Sequence, residues 1–325
     1  VDPAQHPAPG LTGRLPPRVD VYEVGPRDGL QNELRIVPLE GKLRLIDALT
    51  RAGERRIEAT SFVSPRWIPQ LSDAEEVLKA LPRGNGVVYS ALVPNRKGLD
   101  RAVAAGLEEA AVFISATESH SRKNINKSIA EAVSVATDVA KGALAAGMRV
   151  RAYLSVVWGC PYEGPVSVER VVELCRRLAD CGIYQLSLGD TIGVGVPNQT
   201  EEILAAVTRY VPVTRLALHL HDTRGLALAN ALVGLSAGVT TFDASIGGLG
   251  GCPYAPGAAG NLATEDLVNM LHRMGVETGI DLDRLVAAGE VAQELIGRKL
   301  AGKFLQAALG ERDRAQARRR AVPTS

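Results

Sequence analysis

The sequence predicts an α/β chain folded as a closed (β/α)8 barrel with extra C-terminal helices. Eight short apolar segments of β character alternate with eight segments whose apolar residues recur at i, i+3, i+4 and i+7. Glycine follows most of the helical segments (Gly53, Gly106, Gly147, Gly182, Gly238, Gly275), as a helix C-terminus prefers. The 325 residues suit a single barrel of about 250 residues with additions. Regular alternation requires parallel strands joined by crossover helices. An open doubly wound sheet is the competing topology, and eight units in succession favour the barrel.

In chain order, residues 1–18 are proline-rich, with neither an apolar signal core nor an Arg-rich amphipathic pattern, and read as a disordered leader. Strands are expected at residues 19–24, 56–62, 87–93, 110–116, 149–157, 184–188, 215–221 and 240–246. The helical period covers residues 39–52, 72–81, 97–105, 129–146, 168–181, 199–210, 226–237 and 264–274, with further helix over 283–309. One domain therefore spans residues 19–310, and residues 311–325 read as a basic flexible tail.

With 46% hydrophobic and 22% charged residues and a net charge of +1, the chain has no field for nucleic acid or a membrane surface. No apolar run reaches the roughly 18 residues that span a bilayer. Four cysteines (Cys160, Cys175, Cys181, Cys252) lack metal spacing and read as reduced thiols, so a cytoplasmic protein is expected.

Barrel sites lie at the C-terminal ends of the strands. After the first strand, GPRDG places Arg27 and Asp28 there. On the second, Glu58 is a charge in an apolar run, read as facing the interior. The sixth ends SLGDT, placing Ser187 and Asp190 at its mouth. The seventh, RLALHLHDT, is the most informative: strand alternation puts Leu216, Leu218 and Leu220 toward the helices and Ala217, His219 and His221 inward. Two imidazoles about 6–7 Å apart along a strand can reach one ion. Asp28 and the amide oxygen of Asn261 complete a mixed N/O set suited to Mg²⁺ or Mn²⁺, and compatible with Zn²⁺ or Co²⁺. Residues 247–261, GGLGGCPYAPGAAGN, read as a loop that wraps a ligand and presents the thiol of Cys252. The second GCPY, at Cys160, lacks those glycines and reads as structural. The basic stretch TESHSRKNINKS, with Arg122, Lys123 and Asn124, reads as a loop that clamps phosphate, as in a nucleotide or CoA tail.

Taken together, EVGPRDGLQNE, TSFVSP, KNIN, GCPYEG, SLGDTIGVG, HxHDT and GLGGCPYAPGAAGNLATEDLV resemble the 3-hydroxy-3-methylglutaryl-CoA lyase family, within the wider metallo-lyase, pyruvate-carboxyltransferase-like and Claisen-condensing barrel group. The resemblance runs from about residue 19 to residue 297. It implies a TIM barrel dependent on Mg²⁺ or Mn²⁺, often dimeric, acting on an acyl-CoA. The implied reaction splits (S)-3-hydroxy-3-methylglutaryl-CoA into acetyl-CoA and acetoacetate, in leucine degradation and ketone-body formation. The family's metal ligands fall on Asp28, His219, His221 and Asn261, its catalytic cysteine on Cys252 and its catalytic arginine on Arg27. Supporting acidic residues fall on Glu58, Asp190 and Asp266. Ser61 of TSFVSP and Ser187 join Arg27, Asp266, Arg122, Lys123 and Asn124 as expected substrate contacts. The sequence departs from the family pattern at Thr223-Arg224-Gly225, where an aromatic often precedes the glycine, and at Pro256.

In a retro-Claisen cleavage Arg27 would stabilise the enolate and Cys252 would protonate it; Asp28, His219, Glu58 and Asp190 are all candidates for the base. Competing activities are a lyase for a longer 3-hydroxy-3-alkylglutaryl-CoA, a synthase condensing acetyl-CoA with a 2-oxo acid, and a non-catalytic CoA- or metal-binding barrel.

Overall fold

The computed structural model describes residues 15–252 and 255–321, with side chains described for these except residues 251–259 and 316–321. The order is β1 (Asp20–Glu23), a wide helical turn (Gly25–Gly29), α1 (Leu39–Ala52), β2 (Arg56–Ser61), α2 (Ala74–Ala80), β3 (Val88–Leu92), α3 (Arg96–Ala104) and β4 (Glu109–Ser115). Then come α4 (Glu118–Ile125), α5 (Ile129–Ala145), β5 (Arg149–Ser155), a hairpin β6 (Gly159–Cys160) and β7 (Gly164–Pro165), α6 (Val168–Ala179), β8 (Gln185–Asp190), α7 (Pro197–Val207) and β9 (Leu216–Leu220). The chain continues through α8 (Ala227–Ser236), β10 (Thr241–Ala244), a ribbon β11 (Gly251–Cys252) and β12 (Ala255–Ala259), α9 (Thr264–Arg273), α10 (Leu282–Ile296) and α11 (Lys303–Ala321).

Among the described residues, eight parallel strands close in the order β1-β10-β9-β8-β5-β4-β3-β2. The expected barrel is therefore present and the open sheet is not. Strands covered on both faces are buried along their length, as in β9, where every residue is buried. Leu216, Leu218 and Leu220 face the helix layer. There α8 approaches so closely that a Cβ on Gly234 would lie 2.4 Å from Leu218.

The barrel interior is polar and fully buried. Arg151 Nε donates to Gln185 Oε1 (2.8 Å) and Nη1 to Tyr153 OH (2.8 Å), Nη2 pairs with Asp243, and the guanidinium lies 4.0 Å over the Tyr22 ring. Such a buried charge is tolerable only when paired and saturated with acceptors. This plug of side chains forms the floor of the site.

Four expectations need correction. Residues 118–125 are helix α4, ended by Asn126 in the left-handed conformation (φ 53°), so Arg122, Lys123 and Asn124 sit exposed on a helix rather than a loop. The glycine-rich stretch, expected as loop throughout, contains the antiparallel ribbon β11–β12; paired backbone supplies order that its composition does not. The tail is helical through Ala321, since its Glu, Arg, Gln and Ala residues favour helix. Of the leader, Leu15 packs on the core and Pro17 O accepts from Glu277 N (2.9 Å). The rest of that segment, residues 1–14, lies outside the described residues, as do residues 322–325. Among the described residues no helix is long and apolar enough to cross a membrane.

Candidate active site

The C-terminal end of β1 turns sharply at Pro26, which opens the wide helical turn. Three amides of that turn, Arg27, Asp28 and Gly29, converge on Val24 O. This aims Arg27 and Asp28 over the barrel mouth. Glu23 locks the turn from below: Oε1 accepts from Gly25 N (2.7 Å) and Ile246 N (2.9 Å), and Oε2 from Thr264 Oγ1 (2.7 Å). One buried carboxylate thus ties together the Arg27 turn, the start of the glycine-rich stretch and the first turn of α9. The far end of that stretch is pinned by an antiparallel bridge between His221 and Asn261.

The metal-type cluster is assembled as expected. One ligand atom each from Asp28, His219 and His221 lies within 4.8 Å of the others. The Nε2 atoms of His219 and His221 are 3.2 Å apart, and His219 Nε2 is 3.9 Å from Asp28 Oδ2. Burial, with His219 adding to it, pulls the His221 pKa down to about 4, so its ring is neutral and keeps a lone pair at neutral pH. Burial works against ionisation of Asp28, but Arg27 above all, with His219, His221 and Asn261, outweighs it and holds the carboxyl at about 2. Two imidazoles that meet through their Nε2 atoms, with a carboxylate beside them, suit a divalent cation. Asn261 is also brought in. Its amide nitrogen donates to Asp28 Oδ2 (2.8 Å) and Leu249 O (3.1 Å), so the NH₂ end faces Asp28.

Arg27 is buried between Asp28 and Glu58. Burial opposes its charge, yet Glu58 and then Asp28 hold the guanidinium pKa above its ordinary value. Glu58 is raised by its own burial, partly offset by Arg27, and its Oε1 has no hydrogen-bond partner among the described residues.

The other expected site residues are engaged by their own neighbours. The Asp190 carboxylate accepts from Val194 N (3.0 Å) and Gly195 N (2.9 Å), which shapes the loop after β8. Ser187 Oγ donates to Asp243 Oδ2 (2.8 Å), beneath the mouth. Ser61 is buried, its Oγ accepting from Val63 N (3.2 Å). Asp266 accepts from Lys303 N (3.0 Å) and Phe304 N (2.6 Å) at the start of α11. Lys123 Nζ lies 4.8 Å over the Tyr162 ring. The Cys252 side chain lies outside the described residues; its backbone belongs to β11. Cys160 accepts from Thr117 Oγ1 (3.0 Å) in a buried, structural setting.

Glu23, Arg151, Tyr153 and Asp243 also belong to the site, although no sequence motif marks them. Alternation within RVRAYLS and TFDAS carries the signal for the last three, because their neighbours Val150, Ala152 and Phe242 are the outward apolar ones.

A family model described as HMGL-like matches residues 18–292. Hydroxymethylglutaryl-CoA lyase, mitochondrial, of Bos taurus is 52% identical over 295 residues, covering 91% of each chain. The crystal structure of the Bacillus subtilis HMG-CoA lyase superposes with a TM-score of 0.89 at 50% identity, covering 90% of this chain and 98% of that one. An Acinetobacter baumannii HMG-CoA lyase solved with coenzyme A and 3-methylmalate gives a TM-score of 0.85 at 39% identity, with 89% and 95% covered.

Proposed function

We propose, from the premise that the chain belongs to the HMGL-like family, that it cleaves (S)-3-hydroxy-3-methylglutaryl-CoA to acetyl-CoA and acetoacetate. The observation that carries this is the meeting of Arg27, Asp28, His219, His221 and Asn261 at the barrel mouth, in a chain about half identical to HMG-CoA lyases along nine-tenths of its length.

The donor set fits a divalent cation. Asp28, His219 and His221 would hold it, Asn261 would add its amide oxygen on turning that end toward Asp28, and Mg²⁺ or Mn²⁺ is our assignment from a mixed N/O set without thiolate. Such a cation supplies Lewis acidity toward substrate oxygens. The chain's own residues do the rest. The tertiary hydroxyl gives its proton to a group at the mouth. Asp28, held at about 2, is too weak a base, and Asp190 is spent on its loop. Glu58 and His219 remain, and His219 can act only while its Nε2 is not holding the cation. The C2–C3 bond then breaks, acetoacetate departs, and the electron pair is left on the thioester as an enolate. Arg27 is permanently cationic and directional, suited to hold that oxygen. Cys252, carried on the glycine-rich ribbon, donates the proton that turns the enolate into acetyl-CoA.

The coenzyme A complex of the A. baumannii relative supports an acyl-CoA substrate, and the exposed Arg122, Lys123 and Asn124 of α4 are our candidates for its phosphates. A homodimer is our reading, from the often dimeric family that the chain resembles. Cys160, Cys175 and Cys181 are free and buried, which supports a reducing compartment, and we assign the chain to the cytoplasm.

The test is acetoacetate release from 3-hydroxy-3-methylglutaryl-CoA with Mg²⁺ or Mn²⁺, then with EDTA. Chelator-sensitive release is expected. A folded, cation-loaded protein that releases none overturns the assignment.

A further inference from the structure

We propose that Asp243 is a positioning residue that fixes the ring orientation and tautomer of His219. The proposal rests on the reading of Asp28, His219 and His221 as a cation site. Asp243 and His219 are register partners on the adjacent strands β10 and β9, and both point into the barrel. Asp243 Oδ2 lies 3.3 Å from His219 Nδ1, off the line of an N–H bond, and that nitrogen has no other partner among the described residues. A small rotation of the ring would close the hydrogen bond.

The carboxylate itself cannot turn. Ser187 Oγ donates to the same Oδ2 (2.8 Å), and Oδ1 takes Arg151 Nη2. Arg151 is in turn held by Gln185 and Tyr153, and none of these groups is exposed. A fixed negative acceptor beneath Nδ1 selects the tautomer with hydrogen on Nδ1. Nε2 is then left with its lone pair. That is the atom directed at His221 Nε2 and Asp28 Oδ2. The opposite tautomer would present a hydrogen to a cation and repel it. Among the described residues His221 has no hydrogen-bond partner at its Nδ1, so the two histidines are not equivalent. Carboxylate–imidazole pairs of this kind typically affect cation affinity by about 10–100-fold.

Two measurements test this. The first uses the unsubstituted chain, ¹⁵N-labelled at histidine, without added cation at pH 8. His219, identified by the resonances lost in His219→Asn, is expected to show a protonated Nδ1 and a bare Nε2; a protonated Nε2 overturns the proposal. The second titrates Mn²⁺ into Asp243→Asn whose fold is verified by circular dichroism. A loss of about 10–100-fold in affinity is expected, and unchanged affinity overturns the proposal. Should Asp243→Asn fail to fold, because Arg151 is left unpaired, the tautomer measurement decides alone. The tautomer result does not depend on turnover. A parent protein that binds Mn²⁺ but does not cleave the acyl-CoA therefore sinks the proposed activity without touching the role of Asp243.

Discussion

Arg27 directs two nitrogens, Nε and Nη2, to one oxygen of Glu58, each at 2.6 Å, and gives Nη1 to Asp28 Oδ1 at 2.6 Å. Glu58 Oε1 has no hydrogen-bond partner among the described residues. The guanidinium that the proposed mechanism sets against the enolate is thus aimed by a carboxylate from the next strand. Glu58→Gln keeps the volume but removes the charge. Turnover should fall about 10²-fold, as when a transition-state donor is misplaced. Stability should fall by up to about 3–5 kcal/mol, because a buried charge loses its partner. Steady-state kinetics alongside urea denaturation separate the two effects; full turnover in a folded variant would show that Arg27 does not depend on Glu58.

A glycine on the ribbon's approach gives a sharper test of the cation centre. Gly250 has φ 107°, and a Cβ there would lie 2.7 Å from Asn261 Nδ2 and 3.2 Å from Gly29 Cα. Gly250→Ala must therefore push Asn261 away from Asp28 while touching no proposed ligand chemically. Mn²⁺ affinity should drop by about tenfold or more, equivalent to about 1.4 kcal/mol. Parent-like Mn²⁺ titration with an intact fold would remove Asn261 from the centre.

How far the site was legible depended on whether its signal was periodic. His219 and His221 stand out because strand alternation places both on one face with leucines between them. Arg27, Asp28 and Asn261 were legible as motif residues beside turns. The polar floor was passed over because its members are scattered: Arg151 and Asp243 are 92 residues apart and meet only when the barrel closes. Asp266 and Asp190 illustrate the reverse. Both are acidic residues in recognisable motifs, yet their carboxylates bind backbone amides, those of its own loop for Asp190 and of α11 for Asp266, a use that apolar periodicity does not show. The α4 helix was hidden because ESHSRKNI is strongly polar and lacks an apolar stripe.

Glu265 gives stability a pH dependence. Its Oε2 accepts from Gly247 N (2.9 Å), where the glycine-rich stretch begins, and Oε1 has no partner among the described residues. Burial first, then Asp266 and Glu23, raise its pKa to about 8, against 4.5 for an ordinary glutamate. Glu23, raised by burial, stands at about 7. Between 4.5 and these values the folded chain holds protons that the unfolded chain has released. Stability is therefore greatest at the acid end of that window and falls as pH rises, by up to about 1.4 kcal/mol per pH unit for each group. Glu265→Gln still accepts from Gly247 but cannot ionise. Its urea midpoint should fall less steeply than the parent's between pH 5.5 and 7.5, with Glu23 supplying the remaining slope. Parallel curves would mean that Glu265 ionises normally.

Asp266 separates a structural from a substrate-binding role. Both of its oxygens accept backbone amides at the start of α11, and Lys303, the first residue of that helix, also pairs with Asp222 beside His221 at 2.8 Å. The carboxylate serves the helix as a cap supplied from another helix, satisfying amides that have no intrahelical partner. Asp266→Ala should cost about 0.5–2 kcal/mol of stability, the usual loss for a removed cap. Because both oxygens are engaged by the α11 amides, KM for the acyl-CoA should stay within about twofold of the parent, under 0.5 kcal/mol of binding. Asp266→Asn should recover part of the lost stability, since one amide oxygen can still accept. A KM raised by about tenfold or more at parent-like stability would show instead that Asp266 leaves the α11 amides to hold the substrate, and that the helix is capped by other means.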